Sequence, residues 1–438
     1  MACCGHRHIL LSVFHHGRRS SVSSQISHAR TSYYSSTTGD FSGIVSRRSD
    51  NVTHCSNNRP KLKRTIDKRN KNTRQGPHSR NSFQGSYNME ALCEAYPPLS
   101  DYIIHPPTGD DQSDTETNSV HHPKRIAIHR PTIKFADRDA VRALNTALLV
   151  LDYDIAPSYA GILPEDALVP PVPGRAEYVH YIADVLAASS SSSSSSFPIG
   201  SSVKGCDIGT GASLIYPLIA NSVYGWSMIG SEVNPSSTQS ARTIAKANNL
   251  QEYIDVRHQQ STHSIFHGIW ETNNEIFDFT MCNPPFYPSL EACQAESARK
   301  LRGLARGGAN RRYRGSNVVK PEEASMNAKQ IASNNFEGTA SELWCDGGEV
   351  GFVKRMINES KQYRDNCLWF TSLVARKDSL EKIERHLKKG GYGARPAQIH
   401  KIRMGAGTKS ASIIMWTFMD ETKRRQWASK RGWGGSLR

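Results

Sequence analysis

Apolar and polar positions change their period along this chain. From residue 203 onward, short apolar runs alternate with longer stretches in which apolar positions recur every three or four residues. "VKGCDIG", "SMIGSEV", "YIDVRH", "EIFDFTM", "CLWFTSLVA" and "SIIMWTF" read as strands, the last as the final one. "ASLIYPLIAN", "PSSTQSARTIAKANN", "GGEVGFVKRMINES" and "SLEKIERHLKKGGY" read as the helices between them. Runs short enough to be buried strands, joined by helical segments, predict an α/β fold: a parallel sheet with helices on both faces.

Upstream, "DRDAVRALNTALLVLDY" (137–153) opens on an Asp cap and carries helical spacing, and "AEYVHYIADVLAA" (176–188) reads as a second helix. The acidic stretch 109–119 reads as an inserted loop and the serine run 189–196 as a low-complexity linker. Residues 1–87 lack apolar periodicity and are expected to be disordered, with order beginning near "YNMEALCEAYPPLSDYI". The predicted organisation is a basic tail over 1–87, an N-terminal module over 88–160, an α/β domain over 161–420 and a basic C-terminal tail over 421–438.

Charge sharpens this division. Of the net +15, the segment Met1–Asn88 carries +12 and the remaining residues +3. A cationic tail attracts nucleic acid without sequence preference, and "RPKLKRTIDKRNK" within it reads as a nuclear localisation patch. The first acid is Asp40, so the leader also fits a mitochondrial presequence. The nine cysteines include no C-x-x-C spacing, which suits reduced thiols better than a disulfide framework or a zinc site. No apolar run approaches the ~20 residues that span a bilayer.

Two stretches carry chemistry. "DIGTGAS" follows a strand and opens a helix; Asp207-x-Gly209-x-Gly211 lets the backbone pass close to a ligand. The third glycine of a dinucleotide fingerprint is replaced by Leu214, and no Gly-Lys-Ser/Thr of a P-loop follows. The pattern suits S-adenosylmethionine, which has no phosphates to cradle, with Glu232 at the next strand end placed to accept from ribose hydroxyls.

"CNPPFY" stands at the end of another strand. Two prolines end that strand, because neither can donate to a ladder. Asn283 is left at the strand's lip with Pro284, Pro285 and Phe286. The Asn283 oxygen and the Pro284 carbonyl suit an –NH₂ on a planar group, and Phe286 suits stacking on it. Adenine N6 and a glutamine amide both satisfy this chemistry. Just beyond, "ARKLRGLARGGANRRYRG" (298–315) places Arg299, Lys300, Arg302, Arg306, Arg311, Arg312 and Arg314 in a glycine-interspersed segment without acids, as phosphate-backbone binding requires. Trp427 and Trp433 in the basic C-terminal stretch are candidates for stacking on unpaired bases.

Over roughly residues 88–420 the chain resembles the U6 snRNA adenine-N6 methyltransferases of the methyltransferase-10-domain family. It is also similar to their bacterial relatives, the F-type large-subunit ribosomal RNA adenine-N6 methyltransferases. The likeness rests on "FADRDAVRALNTALL", "VPGRAEYVHYI", "DIGTGASLIYPL", "SEV", "MCNPPFY", "ELWCDGGEVGFVKRMI" and "WFTSLVARKDSL". It implies a Rossmann-like class I S-adenosylmethionine-dependent methyltransferase sheet, an N-terminal helical RNA-binding module and methylation of adenosine in structured RNA. It also implies cofactor contacts for Arg175, Gly209, Ser213 and Glu232, and catalytic roles for Asn283 to Phe286. Thr262 is the counterpart of a cofactor-contacting threonine, with Ser261 as the alternative. "ELWCDGGE" and "WFTSLV" look closer to the bacterial group, and the chain ends 20 residues after Phe418, short of the extra C-terminal region of larger animal members. The expected activity is N6-adenosine methylation of U6 snRNA in the nucleus. The alternatives are the same chemistry on ribosomal RNA, in mitochondria if the leader is a presequence, a protein glutamine methyltransferase, and an RNA-binding protein without turnover. Neither a membrane nor a metal is expected as a partner.

Overall fold

The computed structural model describes residues 76–105, 130–295, 299, 343–390, 395–405 and 411–433, except 136, 166, 168–169, 190–196 and 271–274. Expectations for the leader, the acidic loop, most of the serine run and the basic loop after Arg299 therefore lie outside the described residues.

Before the main sheet come α1 (Met89–Ala95), a 3₁₀ turn (Pro97–Tyr102) and a two-stranded antiparallel pair of β1 (Ile103–Ile104) and β2 (Thr132–Ile133). Next come α2 (Arg138–Tyr153), α3 (Tyr159–Ile162) and α4 (Val172–Ala188). Asp137 caps α2 by accepting from the amides of Asp139 and Ala140, as its sequence position predicts. Helix α4 begins four residues before the predicted start, with Pro173 in its first turn, where a missing N–H costs nothing. Leu144 and Leu148 of α2 share one apolar cluster with residues of the α/β part, so the core runs across position 160.

The main sheet is built from β3 (Lys204–Ile208), β4 (Ser227–Glu232), β5 (Ile254–His258), β6 (Phe277–Cys282), β7 (Cys367–Val374), β8 (Gln398–Arg403) and β9 (Ser412–Thr417). Their spatial order is β5-β4-β3-β6-β7-β9-β8, with β3 to β7 parallel and β9 antiparallel to both its neighbours. The covering helices are α5 (Ile215–Tyr224), α6 (Pro235–Ala247), α7 (Gly348–Ser360) and α8 (Lys377–Lys389); α9 (Glu421–Lys430) follows the sheet. Every residue of β6 and β7 is buried, which explains their near-continuous apolar reading. Strand β8 escapes a sequence reading because "QIHKIR" is an edge strand, largely polar and without a fully buried position.

Two boundaries expected from sequence move. Chain order begins before residue 88: the Arg80 guanidinium lies 3.7 Å over the Phe197 ring and donates to the Tyr224 hydroxyl at 2.9 Å, while Asn81 is buried and donates to the Pro173 carbonyl. Polar and cation–π contacts hold this segment, so apolar periodicity does not reveal it. At the other end, residues 421–430 form α9. Trp427, half-buried, donates to the buried Asp278, and Trp433 is 9% exposed, so both indoles pack against the fold.

Candidate active site

Strand order reverses between β3 and β6, and ligands of open parallel sheets bind outside the carboxyl ends at such a point. Ile208 pairs with Cys282 across these two strands, so the glycine turn after β3 and the Asn283 turn after β6 lie side by side. The two motifs share one crevice.

The glycine turn is held from behind. The amides of Gly209 and Thr210 both donate to the Ser231 carbonyl at 2.9 Å. Gly209 and Gly211 have φ of 70° and 64°, and a Cβ built at Gly209 would meet nothing within 4 Å. Glycine is required there by the backbone, and the space beside it is open to a ligand. Tyr159 of α3 donates to the Ser213 carbonyl, fixing the end of the turn. Glu232 is buried at the end of β4, where its two oxygens accept from the amides of Gly211 and Asn234, each at 2.9 Å. Burial raises its pKa, and these amides pull it back. Each carboxylate oxygen keeps a further lone pair for a hydroxyl.

Around this turn, several buried polar atoms have no hydrogen-bond partner: both oxygens of Asp207, the Thr210 hydroxyl, Arg175 Nε and Asn283 Oδ1. Groups of this kind are costly to bury unless a ligand satisfies them. Burial lifts Asp207 to about 7, against the opposing pull of Thr210 and Arg175. Arg175 is half-buried on α4 and donates through Nη1 to the Tyr216 hydroxyl at 2.8 Å. An amino-acid tail with an ammonium and a carboxylate matches this mixture of an unpaired acid, a hydroxyl and a guanidinium N–H. Ribose hydroxyls match Glu232.

The Asn283 turn is stapled by a distant segment. The amides of Phe286 and Tyr287 both donate to the Leu343 carbonyl at 3.1 Å, and Cys345 N–H returns to the Tyr287 carbonyl at 3.0 Å. Gly348, with φ of 56°, packs so closely that a Cβ would lie 3.0 Å from the Pro288 nitrogen. Pro284 is buried, whereas Asn283, Pro285 and Phe286 are half-buried.

Thr262 is exposed, and Ser261 Oγ closes its own turn by accepting from His263 and Ser264. The loop after β5 is instead organised by the buried Gln259. Its amide N–H donates to the Glu232 carbonyl, its Oε1 accepts from Ser261 N–H and its Nε2 donates to the His267 carbonyl. Sequence reasoning passed over Gln259, and over Tyr216 and Leu343; a glutamine directly after a short strand is the one signal available. Of the basic-loop residues, Arg299 is described and exposed, while Lys300, Arg302, Arg306, Arg311, Arg312 and Arg314 lie outside the described residues. Among the described residues no group of three or more His, Cys, Asp and Glu is placed to hold a metal ion, and no helix is long and apolar enough to cross a membrane.

Leu214, fully buried with φ of 52°, fills the place where a pyrophosphate-binding turn needs glycine. The crevice thus serves a cofactor with a ribose and an amino-acid tail, and the fold and site define an S-adenosylmethionine-dependent methyltransferase. Comparison with known proteins specifies the group: the chain belongs to the RNA methyltransferase family whose model, Methyltransf_10, matches residues 71–420. It is 38% identical over 356 residues to the ribosomal RNA large subunit methyltransferase F of Marinomonas sp., covering 80% of this chain and 92% of that protein. It is 38% identical over 352 residues to the enzyme of the same name from Klebsiella pneumoniae, covering 80% and 97%. Among solved structures, the human METTL16 catalytic domain in complex with MAT2A 3′UTR hairpin 1 matches with a TM-score of 0.56 and 25% identity, over 79% of this chain and 96% of that one. The complex with hairpin 6 gives 0.54 and 25%, over 79% and 98%.

Proposed function

We propose that this protein methylates the N6 nitrogen of an adenosine in structured RNA, with S-adenosylmethionine as donor. The observation that carries this reading is the unpaired Asn283 Oδ1 at the lip of β6, beside the glycine turn of β3. The lone pair of an exocyclic amine is delocalised into its ring. Hydrogen bonds from that –NH₂ to Asn283 Oδ1 and the Pro284 carbonyl draw the nitrogen toward tetrahedral geometry and localise the pair. Phe286 stacks on the base and fixes its plane, a contact worth about 1–3 kcal/mol. Bound in the crevice, the cofactor supplies a methyl group already activated by its sulfonium charge. The work left to the protein is positioning and the exclusion of water.

For the RNA itself, the resemblance to the U6 snRNA enzymes and the basic patch "RPKLKRTIDKRNK" support U6 snRNA and a nuclear location. A second reading, large-subunit ribosomal RNA, is favoured by the names and higher identity of the bacterial relatives. The test is label transfer from S-adenosylmethionine to U6 snRNA and large-subunit rRNA transcripts by wild type and Asn283→Ala, followed by digestion to nucleosides. N6-methyladenosine formed by the wild type, and reduced at least about 100-fold in the variant, supports the chemistry, and the transcript labelled names the substrate. Label on protein glutamine, insensitive to RNase, sinks the reading.

A further inference from the structure

The β6–β7 ladder changes character two residues before Cys282. Backbone pairing runs through Phe277 with Cys367 and Phe279 with Trp369. Beyond that, the Thr371 amide donates not to a carbonyl but to the side-chain Oγ1 of Thr280, at 3.1 Å. The Thr371 hydroxyl in turn donates to the Thr280 carbonyl at 2.5 Å. A side-chain rung has replaced a backbone rung. The hydroxyl of Tyr178, from α4, lies 2.6 Å from Thr371 Oγ1. Thr371 has one hydroxyl proton, already given to Thr280, so Tyr178 is the donor in this pair. The Cys282 backbone bears on the same phenol oxygen. Tyr178, Thr280 and Thr371 are all fully buried.

This bonded chain ends one residue before Asn283. Its other end reaches the cofactor side: Tyr178 stands one helical turn after Arg175, and its ring meets the Tyr216 ring edge-on at 5.5 Å. Tyr216 accepts from Arg175. One helix therefore touches both the residue that faces the cofactor and the strand that carries the acceptor clamp. Burying three hydroxyls for an ordinary rung has no advantage over a backbone bond, since each must be paired to avoid a penalty. What the arrangement adds is a fixed offset between β6 and β7 at the point where β6 gives way to the clamp.

We propose that Tyr178 and Thr371 are positioning residues that set the placement of Asn283 against the cofactor. This rests on the reading of Asn283 as the group that holds the acceptor nitrogen. The test compares Tyr178→Phe, Thr371→Val, Thr371→Ser and Asn283→Ala for kcat, cofactor KM and thermal midpoint. A displacement of the clamp by a fraction of an ångström lowers kcat about 10- to 100-fold. That loss is expected for Tyr178→Phe and Thr371→Val, with the cofactor KM within about 3-fold, while Thr371→Ser, which keeps its hydroxyl, retains near wild-type kcat. In an Asn283→Ala background, Thr371→Val should cost nothing further. Wild-type kcat in Thr371→Val, an equal loss in Thr371→Ser, or unfolding of both hydroxyl-deleted variants overturns the positioning role while leaving the reading of Asn283 intact. Full turnover by Asn283→Ala alone instead overturns that reading.

Discussion

The indole N–H of Trp427 donates to the carboxylate of Asp278 at 2.7 Å, across 149 residues of sequence. Arg431 gives the same carboxylate two bonds, at 2.9 and 2.7 Å, and Lys204 N–H a further one at 2.7 Å. Asp278 has no exposed surface, so α9 is pinned to the start of β6 by a buried charge pair. Removing one member of such a pair leaves the other uncompensated. Asp278→Ala is expected to destabilise the fold by about 3–5 kcal/mol, read as a lower midpoint in urea. Specific activity per folded molecule should hold, because Asp278 lies at the far end of β6 from Asn283.

Asp207 gives a pH dependence of defined sign. Its carboxyl ionises near 3.8 in the ordinary case and is raised to about 7 in the folded chain by burial. Between these values the folded state keeps a proton that the unfolded state has released, so stability falls as pH rises from about 4 to 7 and levels off above. Asp207→Asn should flatten that decline and make the free protein more stable above pH 7, by up to about 4 kcal/mol. Under the proposed function the same variant should bind S-adenosylmethionine more weakly, since an amide cannot pair with a positive group as a carboxylate does. Thermal melts across pH, alongside calorimetric titration, check both halves.

Glu232 holds two backbone amides and, under the proposed function, a ribose as well. Glu232→Gln leaves either Gly211 N–H or Asn234 N–H facing an amide –NH₂, and one acceptor for the ribose disappears. Loss of a charge-assisted bond of about 1.5–3 kcal/mol predicts roughly 10- to 100-fold weaker cofactor binding. At saturating cofactor, kcat should change little, which separates this variant kinetically from Asn283→Ala.

Gly348→Ala tests the staple. The φ of 56° and the 3.0 Å approach to the Pro288 nitrogen leave no room for a methyl group without moving the clamp. Lower kcat with unaltered cofactor affinity is expected. An unchanged kcat would mean that the turn absorbs the shift elsewhere.

Much of this was legible in the amino-acid order, for physical reasons that can be named. β6 and β7 are buried along their whole length, so "FDFTMC" and "CLWFTSLV" read as apolar runs. Gly209 and Gly211, directly after a strand, mark a turn in which glycine tolerates the positive φ of 70° and 64° found there. Contacts that depend on the third dimension stayed hidden. Nothing local tells that Trp427 donates to Asp278, or that Arg80 packs on Phe197. Tyr178 looks like another apolar position on a helix until Thr371, from a strand 193 residues on, is seen against its hydroxyl.

Leu343 accepts from Phe286 and Tyr287 at once, so the chain leaves the clamp and returns to the same spot. With both ends of the intervening segment tied to one place, its length is nearly free: doubling a loop costs only about 0.6 kcal/mol in closure entropy. The hydrogen bonds between Leu343 and the Phe286–Tyr287 turn therefore fix that turn whatever length of chain lies between them. An engineer can graft a different segment between the same two anchors and read whether the turn keeps its function.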